Sequence, residues 1–555
     1  MKKYLFLISA LFIFSNASFS APFKKGIIVS KNELASLAGA KVLEKGGNAI
    51  DAAIATGYSL GVIEPQGSGI GGGGFALVYL AKNQQFLALD FRERAPAKIN
   101  QQNYEFVNGP SAGGIPGLVK GFEYLHKNYG ILPRTEIMQT AIDLAENGSP
   151  VNKSLKNALI KRESVLKNYE SSSDIFLPIA GTIKQKDLSE TLKLIAKKGG
   201  EDFYTGSLAE TISQEIGKAG GLINKEDLKN YRIYTLKPIC NTYRKKYRIC
   251  SFPPPSSGGI CILETLNILE NFDLSSLPYT SAQRSHYIIE ALKVSFADRA
   301  NKLGDPRFNK LNLSELTSKE YAKKIASKIK KSDQAFNSQL NVNTEKEKPE
   351  TTHWSVADKE GNIVVITASL NGPLGSGFVI PKTGILLNET LDDFSLPASS
   401  NQYGLIGNSL NYPMPNKTPL SSMSPTIVFD LKTNKPILAL GSPGGPTIIS
   451  AVLNTLLAYL DHKMTIEEAV AAGRIHHQFS PNHVYAENWI INEKTKQELE
   501  KRGHIFPTEN ESVWKSFYWT VQAIELNWKE KNLQGASDKR AETGLVYENA
   551  TTEIK

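Results

Sequence analysis

Cysteine is scarce in this chain of 555 residues: Cys240, Cys250 and Cys261 are all it has. No Cys-x-x-Cys spacing and no histidine cluster accompanies them, which argues against a metal site built on thiolates. The odd count leaves at least one thiol unpaired. Cys240 and Cys250 flank Arg244-Lys245-Lys246, which reads as a hairpin tip, so a cross-strand disulfide and buried free thiols both fit. A strong charge of one sign is lacking as well. The formal charge is +9, and with Lys2 and Lys3 assigned to a leader the mature figure is 9 − 2 = +7. Spread over so long a chain, with no basic stripe interleaved with aromatics, this predicts no nucleic-acid partner. Apolar runs of membrane-spanning length are missing, and so are internal repeats.

What is present is the composition of a globular protein, 41% apolar and 21% charged, long enough for two to four domains. The first residues read as a secretory signal. Lys2 and Lys3 supply the charge, Tyr4–Phe14 the apolar region, and Ser15–Ser20 a zone of small residues. Cleavage is expected after Ser20, with Ala17 as the alternative. The apolar region is too short to span a bilayer. The expectation is an exported protein, periplasmic or secreted, with no stable membrane insertion once residues 1–20 are removed.

From Asn32 the pattern is helical, with Asn32 as cap and Leu34, Leu37, Ala38 and Val42 on one face. Asn48 caps a second, alanine-rich helix with Asp51 in its first turn. Gly67, Gly69 and Gly72 then match Gly-x-Gly-x-x-Gly. A dinucleotide site needs a strand before such a run and a helix after it. Here a helix precedes and the strand Phe75–Leu80 follows, so the glycines are read as positions of positive φ or close backbone approach. A hairpin, Phe75–Leu80 with Phe86–Phe91, delivers Arg92-Glu93-Arg94. Arg92 is placed there to clamp a carboxylate or to pair with an acid.

Residues 116–331 read as mostly helical. They include the rigid loop Pro253–Gly259, Ala297-Asp298-Arg299 on a helix, and a solvated lysine-rich face, Lys323–Lys331. Ser332–Glu350 is polar and structureless in pattern. Two strand-like runs follow, joined by Lys359-Glu360-Gly361-Asn362, and Thr351 stands at the start of the first. A hydroxyl inside a chain is a poor nucleophile. At a new N-terminus it gains its own base, an α-amine with a pKa of about 7.7–8.0. Cleavage between Glu350 and Thr351 would therefore make a catalyst. Thr352 is the rival, and Ser369 on the neighbouring strand could hydrogen-bond the nucleophile.

Downstream, Gly384–Phe394 ends a strand in an acidic loop carrying Asp392 and Asp393. Pro419–Thr426 offers the Ser421 and Ser422 hydroxyls. Gly441-Ser442-Pro443-Gly444-Gly445 breaks a strand into bare amide N–H groups that suit an oxyanion hole. Thr465–Glu468 is a capping box. His476 and His477, being adjacent, point to different faces and do not suggest a shared metal.

In their order and spacing, Thr351-Thr352-His353, Pro419–Thr426 and Gly441–Gly445, with Gly69–Phe75, resemble the γ-glutamyltranspeptidase family of N-terminal-nucleophile hydrolases. The resemblance spans essentially the whole mature chain. It implies an α/β fold, an αββα sandwich built from two chains of one precursor, a large subunit (21–350) and a small one (351–555) that stay associated. It implies Thr351 as processing residue and nucleophile, with Ser369 in the place of a supporting hydroxyl, usually Thr. Gly444 and Gly445 match the oxyanion donors. Arg92, Ser421 and Ser422 match the holders of the substrate α-carboxylate, and Asn371 and Asp393 the holders of its α-ammonium. Thr390 stands where family members commonly carry Gln or Glu. Glu389, one place earlier, would point the other way on a strand. Tyr403–Leu405 through Pro415–Lys417 match a lid. The implied substrates are glutathione and other γ-glutamyl amides, with water, an amino acid or a dipeptide as acceptor, and no metal or organic cofactor. A β-lactam side-chain acylase, a poly-γ-glutamate transferase and a non-cleaving γ-glutamyl-peptide binder are the alternatives.

Overall fold

In a computed structural model the described residues are 23–100, 109–336, 350–396, 400–401, 403–507, 520–540 and 545–548. The proposed signal, most of the Ser332–Glu350 segment and Phe517–Trp519 lie outside them.

Two antiparallel sheets form the centre. The first has seven strands in the order Leu545–Glu548, Ile27–Ser30, Thr352–Ala357, Ile363–Ser369, Gly73–Leu80, Gln85–Asp90 and Tyr234–Leu236. The second has six, Asn532–Ser537, Gln522–Asn527, Pro436–Gly441, Thr426–Asp430, Tyr247–Ser251 and Ile239–Tyr243. Each sheet draws strands from both sides of Glu350.

Strand periodicity explains the layers. On Ile363–Ser369, Ile363 and Val365 enter one core while Val364 and Ile366 enter another. On Gly73–Leu80, Phe75 and Leu77 alternate in the same way with Ala76 and Val78. Alternate side chains of a strand face opposite sides of a sheet. One side meets the second sheet, with Ile249, Ile427, Phe429 and Leu438. The other meets the helices Glu33–Glu44, Ala49–Ile63 and Arg134–Asn147. Beyond the second sheet pack Gly258–Leu269, Ala282–Lys302 and Thr447–Leu460. The order is helix, sheet, sheet, helix, the expected αββα sandwich.

The caps agree with the residues. Asn32 Oδ1 accepts from the Leu34 amide, and Asn48 with Asp51 forms a full capping box. Leu34 and Leu37 are half-buried where Ala38 and Val42 are buried. Thr465 and Glu468 also form a box. The lysines of Lys323–Lys331 are exposed around a buried Ala322-Ile325-Ala326-Ile329 face. Within the mostly helical 116–331, Tyr234–Leu236 adds an edge strand, and Ile239–Tyr243 and Tyr247–Ser251 form the hairpin expected around Arg244-Lys245-Lys246. Cys240 and Cys250 lie opposite each other in that hairpin and form a disulfide, while Cys261 is a buried thiol.

The glycine run from Gly71 to Gly74 is explained by close approach alone, since none of these residues has positive φ. A β-carbon would meet Leu386 O at 2.1 Å from Gly71 and Ser369 O at 2.3 Å from Gly72. The chain is thus pressed against the end of the strand that carries Ser369.

Candidate active site

Parity on the strand Thr352–Ala357 decides which threonine faces the cleft. Trp354 and Val356 enter the helix-side core, and the Trp354 indole donates to Ala53 O at 3.0 Å. His353 and Ser355 face the second sheet; a β-carbon on Gly441 would lie 2.1 Å from His353 Cε1. Burial keeps His353 neutral, its pKa lowered to about 3, between Thr367 Oγ1 and Ser355 Oγ. Thr351 shares the parity of His353 and lines the cleft, whereas Thr352 turns towards Gly67, whose β-carbon would meet its Oγ1 at 2.5 Å.

In the uncut chain the Thr351 hydroxyl donates to the Glu350 carbonyl oxygen at 2.7 Å. Ser369 Oγ donates to the same oxygen at 3.1 Å and lies 3.3 Å from Thr351 Oγ1. The Asn371 amide donates to Ser369 Oγ at 2.9 Å, which orients that hydroxyl. The candidate scissile carbonyl is therefore polarised by two hydroxyls, one of them the nucleophile candidate. Glu350 is approached from its other side by Lys31 Nζ at 3.8 Å, which Glu64 holds at 2.9 Å.

Facing Thr351 is the end of the strand Pro436–Gly441. Gly444 and Gly445 have φ of +127° and +56°, values that favour glycine. Among the described residues neither amide donates a hydrogen bond, while both carbonyls are turned into the first turn of the following helix, accepting from Thr447 and Ile448. Two bare N–H groups at a strand-to-helix turn are what an oxyanion requires. Gly445 lines the cleft, and Gly444 precedes it in the same turn.

The other end of the cleft is charged. Its empty space, open solvent at the mouth included, is about 330 Å³. Arg92, at the end of the strand Gln85–Asp90, reaches Asp393 Oδ2 at 2.8 Å and Glu93 Oε2 at 3.2 Å. The two readings of Arg92, clamp and ion-pair member, thus meet in one residue that lines the cleft while paired. Burial pushes the Asp393 carboxyl above the usual range, opposed by the Arg92 and Arg299 guanidiniums. Asn371, with φ +80°, receives the Tyr403 hydroxyl on Oδ1 at 3.0 Å. Tyr403 and Leu405, from the segment expected as a lid, line the cleft, as do Ser421 and Ser422.

Thr390 is not brought into this group. It opens a 3-10 turn, Thr390–Asp393, rather than continuing a strand, and its hydroxyl sits beside Glu93 behind the cleft wall. Glu389 turns away onto Arg162 at 3.3 Å. Sequence reading missed Arg299 as a cleft residue. Its only signal was an arginine on a helix face otherwise committed to the core. His476 and His477 diverge as expected, one to Ser450 and Gln478, the other to Asn482. His286, Glu290 and His504 form a grouping with metal-ligand chemistry. There Lys293 Nζ already sits 2.7 Å from Glu290 Oε1, and the imidazoles hydrogen-bond each other at 2.8 Å.

The γ-glutamyltranspeptidase family model matches residues 35–547. The chain belongs to the γ-glutamyltranspeptidase family. It is 41% identical over 543 residues to the glutathione hydrolase proenzyme of Escherichia coli (strain K12), covering 94% of this chain and 92% of that protein. A crystal structure of cephalosporin acylase from Bacillus halodurans superposes with a TM-score of 0.82 at 28% identity, covering 95% of this chain and 96% of that one. The Helicobacter pylori γ-glutamyltranspeptidase structure matches at 40% identity and a TM-score of 0.51, over 54% of this chain and 89% of that chain. An enzyme of the γ-glutamyltranspeptidase type, with the N-terminal-nucleophile hydrolase fold, is the identification these likenesses support.

Proposed function

We propose that the protein cuts itself between Glu350 and Thr351 and then acts as a γ-glutamyltransferase and glutathione hydrolase with Thr351 as nucleophile. The observation that carries this reading is the approach of Thr351 Oγ1 to the Glu350 carbonyl, opposite the free amides of Gly444 and Gly445. In processing, Thr351 Oγ attacks the Glu350 carbonyl carbon and the C–N bond breaks. An ester and a free amine result, and one water hydrolyses the ester to leave a Glu350 carboxylate and an N-terminal Thr351. Residues 21–350 and 351–555 remain together through the shared sheets.

In turnover the Thr351 amine takes the hydroxyl proton, directly or through a water. The alkoxide adds to the γ-carbonyl of glutathione or another γ-glutamyl amide, and the Gly444 and Gly445 amides hold the oxyanion. The protonated amine gives its proton to the leaving nitrogen as the C–N bond breaks. The γ-glutamyl ester is resolved by water, or by the amine of an amino acid or dipeptide. Arg92, Ser421 and Ser422 hold the α-carboxylate; Asn371 and Asp393 hold the α-ammonium; Ser369 steadies the nucleophile. None of these steps needs a metal or an organic cofactor. The leader pattern supports an exported, periplasmic or secreted location.

Thr390 behind the cleft wall favours a second reading, a side-chain acylase that does not depend on an amine contact from that position. Turnover of γ-glutamyl-p-nitroanilide against glutaryl-p-nitroanilide separates the two. Preference for the γ-glutamyl compound is expected. Glutaryl turnover in well-processed protein without γ-glutamyl turnover would replace the first reading with the second.

A further inference from the structure

Arg299 is 5% exposed and lines the cleft. It comes from the helix Ala282–Lys302, on the outer side of the second sheet. Its Nε donates to Ser257 Oγ at 3.0 Å. Ser257 in turn holds the Ser421 carbonyl twice, through its amide at 2.8 Å and its hydroxyl at 2.7 Å. The guanidinium is thereby fixed beside the serine pair, with Nε occupied and the two terminal nitrogens left over. Among the described residues those nitrogens have no hydrogen-bond partner, and no carboxylate lies within 4.0 Å of Arg299. The adjacent acid, Asp298, is already taken by Lys302 at 2.8 Å and Tyr321 at 2.6 Å.

A buried cation without a counter-ion is costly. Arg92 in the same cleft is in the opposite condition, already paired with both Asp393 and Glu93. Of the two cleft arginines, then, Arg299 is the one with no carboxylate in contact, Asp393 acting on it only from beyond ion-pair distance. A guanidinium with two free terminal N–H groups in one plane suits a carboxylate bound in fork geometry. Building on the γ-glutamyl reading of the site, we infer that Arg299 binds the substrate's α-carboxylate directly, together with Ser421, Ser422 and Arg92. It supplies the free positive charge that the Arg92–Asp393 pair does not. The cleft then recognises acyl groups by their carboxylate first and by their ammonium second.

The test uses three competitors of γ-glutamyl-p-nitroanilide turnover. L-glutamate carries both α-groups, glutarate lacks the ammonium, and 4-aminobutyrate lacks the α-carboxylate. In the processed R299Q enzyme the inhibition constants of L-glutamate and glutarate are expected to rise by roughly 10- to 100-fold, the loss of a hydrogen-bonded charge contact, while that of 4-aminobutyrate stays within about twofold. Equal weakening of all three would show a general disturbance of the cleft and not a carboxylate contact, and no weakening would show that Arg299 plays no part; either overturns the inference. Should R299Q fail to mature into two chains, R299K keeps the buried charge and loses the fork, and it carries the same comparison. Wild-type turnover of the anilide is the control. Its absence would sink the functional reading itself, whereas turnover with equal losses would sink only the role given to Arg299.

Discussion

Arg92 and Asp393, 301 residues apart in sequence, meet at 2.8 Å on the wall of the cleft. Each is proposed to hold one charged group of the substrate, and without substrate they hold each other. The pair keeps both side chains oriented while it keeps each from standing alone, which matters because breaking a buried pair from one side costs about 3–5 kcal/mol. Arg92→Gln is expected to lower the melting temperature and to raise KM for γ-glutamyl-p-nitroanilide by more than about tenfold. Thermal melts and initial rates on the same preparation check both. An unchanged KM would remove Arg92 from substrate binding.

Burial raises the Asp393 carboxyl above its ordinary 3.8. A carboxylate that must be ionised to hold an ammonium loses function as pH falls through that raised value. Below the fall in kcat/KM set by protonation of the Thr351 amine, a second fall is therefore expected above pH 3.8, and Asp393→Asn should remove that second fall along with most of the activity.

Ser369 links the Asn371 amide to the Glu350 carbonyl. Ser369→Ala removes one of the two hydroxyls polarising that carbonyl. Self-cleavage should slow by on the order of 10- to 100-fold, followed as the appearance of two chains over time, with Ser369→Thr close to wild type. Cleavage of the alanine variant at the wild-type rate would contradict this.

The glycine turn yields a ranking. Gly445 at φ +56° is in a region an alanine can enter at modest cost, whereas Gly444 at φ +127° is not. Gly444→Ala adds strain of about 1–3 kcal/mol at the oxyanion turn and should cost more in kcat than Gly445→Ala. Steady-state kinetics on both variants reads the order.

Four buried histidines carry a stability prediction. Burial lowers His353, His476 and His504 to about 3, 4 and 2, and His477 well below 6.5. Between pH 6.5 and about 4 the unfolded chain binds protons that the folded chain refuses, so stability falls as pH falls. Each such group contributes about 1.4 kcal/mol per pH unit in that window. Melting temperature should drop steeply below pH 6.5 and be flat just above it.

Much of this was legible in the residues. The caps at Asn32 and Asn48, the paired strands around Gly361 and the glycine turn at Gly444 are local, and local chemistry declares them. The choice of Thr351 over Thr352 is a matter of strand parity, visible once the strand is placed. What stayed hidden depends on long-range approach. Tyr234–Leu236 and Ile239–Tyr243 read weakly as strands because they are partly exposed at sheet edges. Thr390 looked like a cleft residue until a 3-10 turn rotated it behind the wall. Arg299 is far in sequence from every other member of the site, and only the packing of its helix brings it there.

The central claim is that Thr351 both cuts the chain and becomes its new N-terminus. Intact mass of wild type beside Thr351→Ala tests it most directly. Two chains are expected for the wild type, the smaller having the mass of residues 351–555, and one uncut chain for the variant. A wild-type protein that stays whole, or a Thr351→Ala variant that still divides at Glu350, would contradict the account.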